Sequence, residues 1–163
     1  MKKFVIKHAL EATNQYSLLN RKDEEVGIVK RSTLDTFEEQ TAFRYRVKSN
    51  GIDATIGVMK DSLHSLWATT YIFEYQGVRY FFEDNVGEQS FQFRIEGTIN
   101  EDHISVEINW EDELEIERNE QLVATIRASR DKKRTLYHFS NSIEQDEPIF
   151  AFAILVPFMY VLH

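Results

Sequence analysis

From Glu147 to Leu162 the chain reads EPIFAFAILVPFMYVL, a run without charge after Glu147 in a sequence whose residues are 28% charged. A helix that is apolar on every side must be surrounded, either by protein or by lipid. Asp146 or Ser142 can cap its start, and Pro148 suits a first turn where no N–H partner is needed. Ile149 to Leu162 would then extend about 21 Å at 1.5 Å per residue. A bilayer core of about 30 Å asks for roughly 20 residues, so the segment is too short to span comfortably.

The rest of the chain alternates with a period of two, the pattern of strands with one buried and one wet face. From His103 to Trp110, the residues Ile104, Val106, Ile108 and Trp110 share one face, while Ser105, Glu107 and Asn109 take the other. Phe43, Tyr45 and Val47 oppose Arg44, Arg46 and Lys48 in the same way, and Phe91, Phe93 and Ile95 oppose Gln92, Arg94 and Glu96. Tyr71, Phe73 and Tyr75 lead through Gln76-Gly77 to Val78, Tyr80 and Phe82, which reads as a hairpin. Leu114 and Ile116 alternate with glutamates. Leu122, Ala124 and Ile126 continue to Tyr137 and Phe139 across the turn-like SRDKKR. Phe4 to Lys7, Tyr16 to Asn20, Val26 to Arg31 and Ala54 to Lys60 bring the total to about a dozen strands. Thr33 to Gln40 lacks alternation and reads as a loop or a short helical turn. Connections of two to six residues suit an antiparallel meander better than βαβ units, whose crossovers are longer.

These two halves of the sequence fit together. A barrel of about eight strands is filled by its own side chains, whereas one of a dozen has room for a helix about 10 Å wide. The sequence therefore predicts one domain over residues 1–163, mostly β: a closed antiparallel barrel of about twelve strands with a buried hydrophobic C-terminal helix through its centre. Ala151 and Ala153 would allow close approach, Phe150, Phe152, Phe158 and Met159 would fill gaps, and Pro157 would bend the far half. The competing readings are ordinary packing on one face of a sandwich and a membrane tail anchor.

The run of about twelve strands followed by PIFAFAILVPFMYVL resembles the tubby C-terminal-like superfamily, which includes tubby, LURP-one-related and phospholipid scramblase proteins. The resemblance is architectural and covers Phe4 to Leu162. It implies the membrane-linked or lipid-linked role that some of those relatives have.

Chemical motifs are scarce. GxGxxG, GxxxxGK[ST], GxSxG and HExxH are all absent, and none of the five histidines lies at metal-ligand spacing from another. No catalytic residue, metal or cofactor is called. With no cysteine, disulfides and thiol nucleophiles are excluded. Asn100 to His103 reads as a solvated turn, and Glu111 to Glu120 as a solvated acidic face. A net charge of -8 argues against nonspecific nucleic-acid binding, which needs cations on phosphates. MKKFVIKHALEAT lacks the apolar core of a secretory signal, which points to the cytoplasm.

Two basic features stand out against that acidic background. The cluster Arg130, Lys132, Lys133 and Arg134 can present several cations to phosphate from a turn and is the candidate anion site. Arg44, Arg46 and Lys48 form a second basic face, explained equally by solvent exposure or by blunting a sheet edge. The expected function is a non-enzymatic binding or scaffold module that recognises a partner protein or an anionic lipid headgroup, peripheral at a membrane. The alternative is a small-molecule carrier or enzyme with a pocket beside the central helix.

Overall fold

Alternating strands with one apolar face bury it most completely by curving until first meets last, and this chain does so. The computed structural model describes residues 1–8, 15–32, 36–38, 41–60, 68–85, 93–129 and 133–160. Its strands are β1 (Lys2–Lys7), β2 (Gln15–Leu19), β3 (Glu25–Ser32), β4 (Ala42–Val47), β5 (Asp53–Val58), β6 (Ala68–Tyr75), β7 (Val78–Asn85), β8 (Arg94–Ile99), β9 (Asp102–Ile108), β10 (Leu114–Arg118), β11 (Gln121–Ala128) and β12 (Arg134–Phe139). Each pairs antiparallel with its neighbours in sequence, and β12 closes on β1 from Lys2↔Phe139 to Lys7↔Arg134. The barrel is therefore closed, with twelve strands.

The helix α1 (Pro148–Tyr160) fills the lumen. Ile149 to Val156 and Met159 are all buried, so every face of the helix is covered, as its all-round apolarity demands. Phe152 stacks on Phe82 with ring centroids 4.4 Å apart, and Phe150 stacks on Phe139 at 4.6 Å. Neither is near solvent. Among the described residues no helix is long and apolar enough to cross a membrane. Pro157 sits inside α1 and has no N–H to give the carbonyl of Ala153. One residue on, the Ile154 carbonyl accepts a hydrogen bond from the buried Tyr137 hydroxyl at 2.9 Å, a strand side chain bracing the helix where its own ladder is broken.

The two ends of the barrel differ in their connections. Where α1 begins, the strands turn tightly, and left-handed residues recur there: Asp23, Gly51, Gln76, Gly77, Asn100, Asn119 and Glu120. Gln76-Gly77 is the expected hairpin, with both φ positive at 50° and 84°. At the opposite end the connections 8–14, 33–41, 59–67 and 86–93 are longer.

Several local expectations need correction. Trp110 does not share the inner face with Ile108. The strand stops at Ile108 because the Asn109 side chain accepts the backbone N–H groups of Glu111 and Glu113, and Trp110 is left 103% exposed at the tip of that turn. Leu122 is 52% exposed, not inward with Ala124. A bulge opposite Ile116/Glu117 inserts Val123, which is buried in Leu122's stead. Val78, at its strand's start, is also exposed. The helix is preceded by Glu147, whose carbonyl accepts the Phe150 N–H, whereas Ser142 pairs with Ser140 and the Asp146 carbonyl accepts from Tyr75. Phe91, Gln92, Thr33 to Asp35, Glu39, Gln40, Leu162, His64 and His163 lie outside the described residues.

Candidate anion-binding wall

With the lumen occupied, the side chains left for recognition point outward, and strand parity decides which they are. Inward parity takes Phe4, Val29, Phe43, Tyr45, Tyr137 and Phe139, all buried. Outward parity on β11, β12, β1, β3 and β4, a run interrupted by β2, then presents Arg127, Arg134, Lys3, Lys7, Lys30, Arg44 and Arg46. On the opposite arc, β6 to β10, it presents Glu74, Glu83, Glu96, Glu107, Glu115 and Glu117. The three arginines of those strands are all paired: Arg79 with Glu74 at 3.1 Å, Arg94 with Glu96 at 2.8 Å and Glu107 at 3.1 Å, and Arg118, at the end of β10, with Glu147 at 3.3 Å. A chain of net negative charge thus gathers cations on one side of its wall, and of these only Arg46 is ion-paired among the described residues.

A groove lies between β3 and β4 on the basic arc. Its volume is about 260 Å³ and Ile28, Lys30, Arg44 and Arg46 line it. At the lower end, Arg46 is held by Asp53 through two hydrogen bonds of 3.1 and 3.0 Å, and Lys48 reaches Glu25 at 3.9 Å. Above them Lys30 and Arg44 stand directly opposite one another in the β3–β4 register. Among the described residues neither makes an ion pair. Like charges directly opposite on a sheet are destabilising, so this pair costs stability until something anionic sits between them. Arg46 borders the groove with its fork engaged and its charge offset by Asp53.

Of the turn singled out in the sequence, Arg130 and Lys132 lie outside the described residues. Lys133 and Arg134 are exposed at the end of the basic arc away from the start of α1, and Arg134 stands directly opposite Lys7, a second like-charge pair. The Ser129 N–H donates to the Arg134 carbonyl at 2.9 Å, closing the turn. The face formed by Arg44 and Arg46 was legible from alternation alone. Blunting an edge cannot explain it, because β4 is paired on both sides in a closed barrel. What the sequence could not supply was Lys30 as its partner, which depends on the β3–β4 register.

Sequence reasoning also missed Asp84, a carboxylate 2% exposed on the inner parity of β7. Its charge, after burial, helps push the Tyr71 phenol above its ordinary range. The only advance signal was its inward spacing from Phe82. Among the described residues no group of three His, Asp or Glu side chains could hold a metal ion. No protein-family model, curated protein or solved structure matches this chain.

Proposed function

We propose that this protein is a non-enzymatic binding module whose β3–β4 groove receives an anionic phosphorylated headgroup, in the manner expected of a tubby C-terminal-like domain. The observation that carries this reading is the pair Lys30 and Arg44, facing each other in register beside the anchored Arg46, without an acid between them. A groove of about 260 Å³ is below the usual 300–1,000 Å³ of small-molecule sites, so it suits a headgroup rather than an enclosed ligand. The filled lumen supports the same reading, because the helix residues Ile149 to Val156 are buried against the barrel and the outer wall is the surface left open to a partner. In this role the protein works in the cytoplasm, peripheral at an anionic leaflet, and the turn at Lys133 and Arg134 extends the contact along the basic arc.

Cosedimentation with phosphatidylcholine vesicles, with and without a phosphatidylinositol phosphate, tests this. Each cation near an anionic surface contributes about 1 kcal/mol, so replacing Lys30 and Arg44 together by alanine should weaken binding roughly thirtyfold at low salt. Equal binding by the double variant, or none by the native protein to either vesicle, overturns the assignment.

A further inference from the structure

On the far side of the same arc, a second groove of about 200 Å³ is lined by Met1, Glu113, Thr125, Arg127 and His138. Its cations arrive from separate elements. His138 on β12 stands directly opposite Lys3 on β1 and Thr125 on β11. Arg127 comes from β11 two positions beyond Thr125, and Arg21 swings in from the β2–β3 turn, its guanidinium donating to the Met1 carbonyl at 3.1 Å. That turn is fixed by Asn20, whose side chain accepts the N–H groups of Lys22 and Glu24. Among the described residues the one acid lining the groove is Glu113, which accepts a hydrogen bond from the Asn109 amide at 3.1 Å and makes no ion pair with Arg127. Lys3, Arg21 and Arg127 therefore surround His138 with positive charge that Glu113 only partly offsets.

We propose that this groove is a second anion site, taking a small dianion of the phosphate-monoester class, for which inorganic sulfate is a probe, between Lys3, Arg127 and His138, with the Thr125 hydroxyl as a neutral donor. The convergence of separate elements on one concave surface is what distinguishes it from scattered surface charge. Because the empty groove disfavours an imidazolium and a dianion favours one, occupation draws a proton onto His138. Burial, then Lys3 and Arg127, hold the His138 imidazole below its ordinary 6.5, in keeping with a neutral ring before binding. Binding at this site tightens as pH falls, independently of the β3–β4 groove.

The test follows the His138 ring by NMR as pH is varied, exchanging chloride for sulfate at constant ionic strength. Sulfate stays dianionic throughout, so any proton taken up belongs to the protein. Saturating sulfate should raise the His138 pKa by about one unit, equivalent to roughly tenfold tighter binding by the protonated form. Arg127→Ala and Lys3→Ala should raise the starting pKa, as loss of a neighbouring cation must, yet abolish the response to sulfate. Arg44→Ala should leave that response intact, which separates failure here from failure of the other groove. A response to glycerol 3-phosphate in solution assigns the site to a soluble ester. A response only to vesicles of phosphatidylcholine and phosphatidic acid assigns it to a lipid headgroup. A His138 pKa indifferent to all three probes, or a sulfate response undiminished in Arg127→Ala, overturns the proposal.

Discussion

The inside and the outside of this barrel solve opposite problems. Within, Tyr137, Phe82 and Phe139 each meet a specific helix group, and the inner surface is spent on holding the fold. Outside, Lys30 faces Arg44 and Lys7 faces Arg134, arrangements that cost stability and that the fold does not require. The difference separates two kinds of residue: those that complete the packing explain themselves, and those that oppose it are where the proposed ligand would act.

The comparison breaks most readily at the helix. Phe152→Ala should cost about 3–5 kcal/mol, the range for a large aromatic removed from a packed core, and urea denaturation would register it as a lower midpoint. A loss below about 1 kcal/mol would mean the lumen is less tightly filled than its ring stacking indicates. Next in size is Tyr137→Phe. It removes the hydrogen bond that the Ile154 carbonyl accepts next to the proline break and should cost roughly 0.5–1.5 kcal/mol. Tyr45→Phe sharpens the contrast from the other direction, because the Tyr45 hydroxyl is buried with no hydrogen-bond partner among the described residues. Its removal should stabilise by about 1 kcal/mol, since a desolvated donor is lost and no bond with it.

On the wall, Lys30→Glu should do what no core change can. It places opposite charges across the β3–β4 register and should stabilise by a few tenths of a kcal/mol while reducing binding to phosphoinositide vesicles. Stability and binding that fall together would show Lys30 to be structural. The smallest effect is on pH dependence. His8, through burial, and His138, through burial and its cationic neighbours, both titrate below 6.5 when folded. The unfolded chain then binds protons first as pH drops. Stability present above 6.5 is therefore lost as pH falls through 6.5 toward the folded values. Denaturation midpoints between about pH 7.5 and 5.5 should decline, and less steeply in His138→Gln; parallel slopes for both proteins would remove His138 from this account.

The architecture was legible because two local signals pointed to one solution. Alternation at residues such as Tyr45 and Val106 marked faces, and the charge-free run after Glu147 supplied something for those faces to enclose. Errors arose where one residue changes the count. Val123 enters as a bulge and sends Leu122 outward, and Asn109 ends a strand one residue before Trp110. The grooves were harder to foresee. Lys3 and His138 become neighbours only when β1 meets β12, and Lys30 meets Arg44 only in the realised register, so neither partnership is written in any short window of the chain.

Chain order gives the filled lumen one more consequence. Every strand leaves the ribosome before α1 does, and β1 must wait for β12. Until translation reaches the helix, the nascent sheet has apolar surface with nothing to enclose and a seam that cannot be sewn. Maturation should therefore come late and all at once, and the growing polypeptide should depend on holding factors until then.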